Sequence, residues 1–271
     1  MFVYTLRDFL FSGVIQVFFI EQFVYTNGLR HTHPIERFLF VIVTMAMALV
    51  FKDWRVHLLI IILMASVLVL RAGIPFLAIL KLMALPLGFL IIGVLTIALT
   101  ISRTPENFLF AFSVGDFYLG ATVSSLATAM RTMSVSLSAV SCLYFLALTT
   151  PMVELIYVLQ VFKLPDVVVE LMVLIYRFIF VFIDTAFAMY HAQQSRCGHL
   201  SFRKSLHSFA LLFANLWGKA FFKSKSLFVS LESRGYGGSL QVLNPRYTFS
   251  QSTIVFFIGL DLLVLTAGWL L

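Results

Sequence analysis

The sequence predicts an all-α integral membrane protein with about five transmembrane helices and long amphipathic helices on the cytoplasmic side. Of its 271 residues, 61% are hydrophobic and only 11% are charged, and the mean hydropathy is +1.01. A soluble domain of this size does not need so much apolar surface. Charge-free apolar runs recur along the chain, whereas the excess of basic residues is confined to one segment near its end.

Five apolar runs, the first three without charged residues, mark the predicted spans. The third is about one bilayer thickness of helix at roughly 1.5 Å per residue, and Pro86 is expected to kink its start. The fourth is longer than one bilayer and contains Arg131, whereas the fifth contains Asp261. The predicted spans are residues 38–51, 56–70, 82–101, 117–150 and 252–271.

The fourth span carries small polar residues four positions apart. Small residues let helix backbones approach closely, because packing drives helix association in lipid. This face therefore either packs within the chain or docks another membrane subunit. Arg131 and Asp261 are costly in hydrocarbon, so both are expected to face protein or water, where they would be able to pair. The small residues are Ser124, Thr128, Thr132 and Ser136.

Residues 191–248 account for the net charge of +7 at pH 7. They contain eight basic residues and one acidic residue, Glu232, whereas basic and acidic residues balance elsewhere. The positive-inside rule therefore predicts that this segment is cytoplasmic. The same basic surface would also suit contact with anionic lipid. The basic residues are Arg196, Arg203, Lys204, Lys219, Lys223, Lys225, Arg234 and Arg246.

Two long amphipathic helices are predicted between the fourth and fifth spans. In the first, residues 167–190, ionisable side chains recur every seven residues and share one stripe of the helix. They are costly for a lipid-facing span, so this helix is expected to lie along the membrane or against other helices. Pro165 separates it from residues 152–162. The second helix covers residues 202–233, with polar positions four and seven apart. The stripe of the first helix consists of Glu170, Arg177, Asp184 and His191.

These patterns divide the chain into three parts. Residues 1–150 hold the N-terminal region and the first four spans, residues 151–248 form a cytoplasmic module, and residues 249–271 form the final span. Cys142 and Cys197 predict neither a disulfide framework nor a metal-ligand spacing.

The sequence contains no catalytic or nucleotide-binding motif. It has no H-E-x-x-H, no G-x-S-x-G and no G-x-x-x-x-G-K-[ST] loop. His31 and His33 are its only closely spaced histidines, and a spacing of two suits an extended loop better than a helix face. An intramembrane enzyme is therefore disfavoured, and no metal site is predicted.

The two amphipathic helices end in similar motifs, and their arginines are 38 residues apart. A glycine just past a helix supplies the left-handed residue that closes it, and a basic residue there complements the helix dipole. Each motif alone fits an ordinary helix end. As a pair, they also suggest arginines that enter pockets on a partner and bind carboxylates with two hydrogen bonds. The motifs are Ser195-Arg196-Cys197-Gly198 and Ser233-Arg234-Gly235-Tyr236-Gly237-Gly238.

With these motifs, the sequence resembles the CbiQ family, the transmembrane coupling subunits (T components) of energy-coupling-factor importers for cobalt or nickel. The resemblance covers nearly the whole chain, and Arg131 has a counterpart in the family. Apart from the arginine motifs, it rests on Asn27-Gly28-Leu29-Arg30, His33-Pro34, Thr149-Thr150-Pro151, Lys163-Leu164-Pro165 and Tyr176-Arg177-Phe178.

The resemblance implies a non-catalytic scaffold in the inner (plasma) membrane. Its two arginine-tipped helices would dock into two cytoplasmic ATPase subunits, and its membrane helices would hold a substrate-binding membrane subunit. ATP and Mg²⁺ would be bound by the ATPases, with no cofactor in this chain and no nucleic acid as partner. The implied ATPase contacts are Ser195, Arg196, Cys197, Ser233, Arg234 and Gly235; the intramembrane polar or packing residues are Arg131, Asp261, Ser124 and Thr128.

The chain departs from the family pattern at its first motif above all. Serine replaces alanine at both Ser195 and Ser233, and Cys197 stands where the family has glycine. Cysteine is strained in a left-handed cap, so the first helix is expected to end at Gly198 instead.

Two alternatives to a cobalt or nickel importer are left open by the sequence. The chain would also suit the T component of a vitamin-type importer, because another subunit selects the substrate. The second alternative is a stand-alone secondary transporter. Such proteins often have two similar halves, whereas the only near-repeat in this sequence is the pair of similar helix ends.

Overall fold

The computed structural model describes residues 21–30, 32–102, 108–114, 117–237 and 249–270. The sequence positions His31, Gly238, Arg246 and Leu271 lie outside these described residues. The described chain is predominantly helical, which confirms the predicted all-α membrane fold. Its elements are α1 (Pro34–Val50), α2 (Trp54–Leu70), α3 (Phe76–Ala98), β1 (Thr100–Ser102), β2 (Phe108–Val114), β3 (Phe117–Thr122), α4 (Val123–Thr149), α5 (Met152–Val161), α6 (Asp166–Ser195), α7 (Phe202–Ser233) and α8 (Gln251–Leu270).

The described residues form two compact units. The helical bundle consists of residues 21–151 together with residues 249–270, and it contains α1 to α4, the three strands and α8. The long-helix unit consists of residues 152–237 and contains α5, α6 and α7. The chain therefore leaves the bundle after α4 and returns to it at the start of α8.

Three described helices have the length and apolar composition to cross a membrane: α3, α4 and α8. The first two predicted spans are also helical, but α1 and α2 have only 17 residues each. Helix α6 has 30 residues and is not among the candidate spans. Its ionisable stripe is the physical reason, because each such group is costly in hydrocarbon.

The predicted bounds of the third span were wrong at both ends. Helix α3 begins at Phe76, before Lys81, and ends at Ala98, where the chain enters β1. Lys81 interrupts the apolar run in the sequence, but it is exposed on the helix, and a long lysine stem lets its charge reach out of an apolar layer. The helix also continues across Pro86.

The fourth span was predicted to begin six residues too early. Residues 117–122 form β3, the central strand of a three-stranded antiparallel sheet in the order β1-β3-β2. Helix α4 then begins after Thr122, which forms a capping box with Ser125. A charge-free run does not by itself distinguish a strand from a helix, and aromatic residues favour strands.

Phe40 of α1 lies at the centre of the bundle and joins three helices. Its ring stacks on Phe257 of α8 with centroids 4.6 Å apart, and it meets the edge of Phe145 of α4 at 5.5 Å. All three rings are buried. Helix α2 adds a continuous buried face formed by Val56, Ile60, Met64 and Val67, which recur at helical spacing.

Isolated polar contacts connect the bundle helices. Thr44 of α1 donates a hydrogen bond to the carboxylate of Asp261 in α8 at 2.9 Å, and Tyr144 of α4 donates to the Leu82 carbonyl of α3 at 2.9 Å. The suggested pairing of Arg131 with Asp261 was wrong, because Asp261 lies against Thr44 while Arg131 is exposed on α4. In lipid, contacts of this kind specify which helices pack together.

The loop before α1 packs tightly on the turn between α2 and α3. Gly28 N donates to the Ala72 carbonyl at 3.1 Å, and a Cβ atom added at Gly28 would lie 2.5 Å from the Arg71 carbonyl oxygen. Only glycine fits this approach of two backbones. The Asn27-Gly28 motif therefore has a structural function at this end of the bundle.

We expect Gly28→Ala to destabilise the bundle by about 1–3 kcal/mol, because the added methyl group must displace backbone atoms. Thermal unfolding of the detergent-solubilised chain measures the effect. Gly93→Ala is the matched control, because a Cβ at Gly93 meets no atom within 4 Å. Equal melting temperatures for the two variants would contradict the tight approach at Gly28.

Candidate functional site

Helices α6 and α7 form an antiparallel pair that is held at both ends. Near the connecting turn, the side chain of Gln193 donates to the Ser208 carbonyl at 2.9 Å. At the far end, the Tyr236 hydroxyl donates to the Glu170 carboxylate at 2.7 Å. Helix α6 has 30 residues, which makes it about 45 Å long.

The two arginine motifs therefore lie at opposite ends of this pair. Arg196 follows the last residue of α6 and Arg234 follows the last residue of α7. Because the helices are antiparallel, about 45 Å of helix separates the two arginines. Both side chains are exposed. The two arginines consequently lie at two separate exposed points and do not form one composite surface.

The α6 end closes with a Schellman motif, the double hydrogen-bond pattern common at helix C-termini. Gly198 N donates to the Gln193 carbonyl at 2.9 Å, and Cys197 N donates to the Gln194 carbonyl at 3.0 Å. Arg196 is the C-cap residue, with φ −95° and ψ 16°.

The α7 end has the same pattern. Tyr236 N donates to the Leu231 carbonyl and Gly235 N donates to the Glu232 carbonyl, each at 3.0 Å. Arg234 is the C-cap, with φ −95° and ψ 10°. Backbone groups thus satisfy two of the last carbonyls at each end, and neither bond uses an arginine side chain.

The left-handed residue of the first motif is Cys197, so the expectation that Gly198 would take this conformation was wrong. Cys197 has φ +59° and its counterpart Gly235 has φ +76°. Gly198 is required one position later, because a Cβ there would lie 2.8 Å from the Ser208 hydroxyl oxygen. Cysteine in the left-handed position costs about 1–2 kcal/mol.

The serines that precede the two arginines bond to their own helices. The Ser195 hydroxyl donates to the His191 carbonyl at 3.0 Å, and the Ser233 hydroxyl donates to the Ser230 carbonyl at 2.9 Å. Neither hydroxyl proton is available to a partner in this arrangement. Arginine is therefore the side chain that distinguishes each tip.

The pair also exposes a broad apolar face. Leu206, Phe213, Trp217 and Phe221 of α7 recur at helical spacing, and Trp217 is 78% exposed. Soluble monomers rarely expose contiguous apolar surface of this kind. This face therefore needs a membrane or another protein against it. On α6, the stripe residues Arg177, Asp184 and His191 are exposed.

His199 lies in the turn between the two helices, among aromatic rings. Its ring centroid is 4.8 Å from that of Tyr190 and 5.4 Å from that of Phe209, and its Nδ1 lies 3.1 Å from the Ser205 hydroxyl. Burial lowers the pKa of His199 below the usual 6.5, because a charged imidazole would lose solvation there. The turn therefore favours neutral histidine.

Two groups of small polar residues divide along α4. Thr128 donates to the Ser124 carbonyl at 2.8 Å and, like Arg131, is exposed. Farther along, Ser138 is buried and lies 3.2 Å from the ring nitrogen of His57 in α2. The second group packs inside the bundle, whereas the first is not covered by the described chain.

No group of three or more histidine, cysteine or acidic side chains among the described residues is arranged to hold a metal ion. His33 caps the first turn of α1, because its Nδ1 accepts a hydrogen bond from Ile35 N at 3.2 Å. Its ring also stacks on Phe249 with centroids 3.8 Å apart.

The sequence did not reveal the bond between Tyr236 and Glu170. Tyr236 belongs to the second arginine motif and Glu170 to the polar stripe, but 66 positions separate them. The sequence feature that could have predicted this contact is the near-equal length of the two helices, 30 and 32 residues. A short turn between equal helices places the end of α7 beside the start of α6.

Comparison with known proteins gives a consistent family. The sequence model of the family described as cobalt transport protein, CbiQ, matches residues 26–243. The cobalt transport protein CbiQ of Salmonella typhimurium is 33% identical over 160 residues, which cover 59% of this chain and 71% of that protein. A protein of Methanocaldococcus jannaschii named only as uncharacterized is 28% identical over 251 residues, 93% of this chain and 92% of its own length. A relative from Methanocorpusculum labreanum, named as a fused cobalt transport protein CbiMQ, is 38% identical over 160 residues, 59% of this chain and 26% of its own length.

We expect Cys197→Gly to stabilise the α6 end by about 1 kcal/mol, because glycine adopts the left-handed conformation without strain. Gly235→Ala should destabilise the α7 end by a similar amount. Amide hydrogen exchange at residues 197, 198, 235 and 236 reports each helix end separately. Cys197→Ser is the control and should leave exchange unchanged; the same slowing in Cys197→Ser and Cys197→Gly would exclude the backbone explanation.

Acidification is expected to loosen the α6–α7 turn. The pKa of His199 is lowered in the folded state, so the unfolded state binds its proton more readily and stability falls as the pH drops below about 6.5. Melting temperatures at pH 7.5 and 5.5 measure this loss. His199→Asn should reduce the difference, whereas His207→Asn, at an exposed position of α7, should not. An undiminished pH difference in His199→Asn would rule out this origin.

Proposed function

The chain belongs to the CbiQ family of cobalt transport proteins, and we propose that it is the transmembrane coupling subunit of an ATP-driven energy-coupling-factor importer for cobalt or nickel. Family membership makes it a membrane component of cobalt transport, and we propose that it has no catalytic activity of its own. In the proposed complex, two cytoplasmic ATPase subunits bind ATP and Mg²⁺, and a separate membrane subunit binds the metal ion that is transported.

One observation carries this proposal: two arginines with the same C-cap geometry stand at opposite ends of one antiparallel helix pair. Two equal contact points about 45 Å apart suit two copies of one partner better than a single binding pocket. A guanidinium on a preformed helix end is well suited to a carboxylate, because it donates two parallel hydrogen bonds.

The exposed apolar face of α7 supports a further partner. The name of the fused relative combines CbiM with CbiQ in one protein, so a membrane subunit beside this chain is consistent with the family. We infer that the apolar face contacts that subunit or the bilayer. Closure of the ATPases would then move the arginine tips, and the helices would transmit this motion to the metal-binding subunit.

The proposed location is the inner (plasma) membrane, with α6 and α7 on the cytoplasmic side. The excess of basic residues between positions 191 and 248 supports this orientation. ATP is cytoplasmic, so the arginine tips must also be there if they contact ATPase subunits. The basic surface would in addition favour anionic lipid.

We expect Arg234→Ala and Arg196→Ala each to weaken retention of the ATPase subunits about ten-fold or more, because a charge-assisted hydrogen-bonded pair is lost. Co-purification from cells that express the complete complex, together with uptake of Co²⁺ and Ni²⁺, measures both association and transport. Arg234→Lys should recover part of the binding, because it keeps the charge but not the bidentate geometry.

Lys223→Ala is the matched control for this experiment, because Lys223 is an exposed basic residue in the middle of α7. It should bind ATPase subunits as the wild type does. Normal complexes and normal uptake with both arginines replaced would refute the proposal. Metal transport by the isolated chain would instead support a stand-alone secondary transporter.

A further inference from the structure

Within the bundle, the end of α4 and the start of α8 both lie against the first turn of α1. Helix α4 ends at Thr149, and Phe249 lies two positions before α8. Contacts of His33, Glu36 and Arg37 hold these two points. These contacts lie entirely within the bundle.

The end of α4 is held by buried polar side chains. Arg37, which is fully buried, donates hydrogen bonds to the carbonyls of Thr149 and Thr32. The amide of Asn27 donates to the carbonyls of Leu148 and Thr149 at 3.2 and 3.3 Å. The last carbonyls of a helix lack partners in the helix itself, and a cation there is favoured by the helix dipole.

The start of α8 is held by the opposite charge. The Glu36 carboxylate accepts a hydrogen bond from Ser250 N at 3.3 Å, and a negative group suits a helix N-terminus. Beside it, the ring of His33 lies flat on Phe249, with an angle of 8° between the two planes. Adjacent residues of α1, Glu36 and Arg37, thus hold a helix start and a helix end.

We propose that His33, Glu36 and Arg37 form a junction clamp that makes α4 and α8 move as one body when α6 and α7 are displaced. This inference rests on the proposed function. Without these contacts, the end of α4 and the start of α8 would be able to move independently of each other. With them, a displacement at either point reaches the same first turn of α1, and through that turn the rest of the bundle. The three side chains are positioning residues for transport.

The clamp would act through side chains of α1 that pack directly against α4 and α8. Energetic coupling over long distances needs contiguous contacts that shift together. In this bundle the contiguous path is short, because Phe40, one turn after Glu36, packs directly on Phe145 of α4 and Phe257 of α8. The first two turns of α1 therefore contact both helices at a polar level and again at an aromatic level.

Two pairs of matched substitutions separate the clamp from general stability. His33→Asn retains an acceptor for Ile35 N at the N-cap but removes the stacking on Phe249, whereas His33→Phe retains the stacking and removes the acceptor. Glu36→Gln retains an oxygen acceptor for Ser250 N, and Glu36→Leu removes it. Each pair thus changes one contact at a time.

The experiment measures Co²⁺ uptake per ATP hydrolysed in proteoliposomes that contain the complete complex, with ATPase retention measured in parallel. His33→Asn and Glu36→Leu should lower this ratio about five-fold or more, at the lower end of typical coupling between sites. His33→Phe and Glu36→Gln should stay near the wild type. All four should retain the ATPase subunits, because Arg196 and Arg234 are intact.

Each other outcome counts against the clamp in a distinct way. Equal ratios for His33→Asn, Glu36→Leu and the wild type overturn the clamp alone, and the proposed function stands. Equal losses in His33→Asn and His33→Phe also overturn it, because they would indicate a stability effect. If the wild-type chain retains no ATPase subunits, the proposed function fails and the clamp falls with it.

Discussion

Backbone groups at helix ends have no partner inside their own helix, and this shortage determines how the two units are built. In the bundle, side chains from other elements supply the missing partners, as Arg37 does for the end of α4 and Glu36 for the start of α8. The helix ends thereby become fixed points that tie distant parts of the chain together. In the long-helix unit, both C-termini close on themselves through Schellman motifs. Their arginine side chains are consequently not used for capping and stay exposed.

The polar contacts inside the bundle act in the same sense. Helices in lipid gain little from the hydrophobic effect when they associate, so packing and hydrogen bonds select the partners. Thr44 with Asp261 joins α1 to α8, and Tyr144 with the Leu82 carbonyl joins α4 to α3. Each contact joins a different pair of helices, which makes a single arrangement of the bundle favourable. The aromatic contacts of Phe40 add close packing at the centre.

The sequence predicted the second long helix best, because its boundaries have local causes; the first was predicted as residues 167–190 but covers Asp166–Ser195. Helix α7 begins after the Ser201 cap and ends before Arg234, as the pattern indicated. Span boundaries were less predictable, because Lys81 interrupts an apolar run without interrupting the helix, and because residues 117–122 are apolar but form a strand. The contacts of His33, Glu36 and Arg37 depend on residues more than 100 positions away. No local pattern encodes such pairings. Cys197 takes the left-handed position of its Schellman motif, and Gly198 meets α7 one residue later.

The pairing of α6 with α7 has a mechanical consequence. A helix pair fastened by Tyr236 with Glu170 at one end and by Gln193 with Ser208 at the other behaves as a strut of fixed length. If two partners bind its ends, as proposed, movement of either partner cannot shorten the pair and would instead rotate it, with the largest displacement at the ends and the smallest near the middle. Loss of either hydrogen bond would let the two helices slide along each other, and the motion would then not be transmitted along the pair.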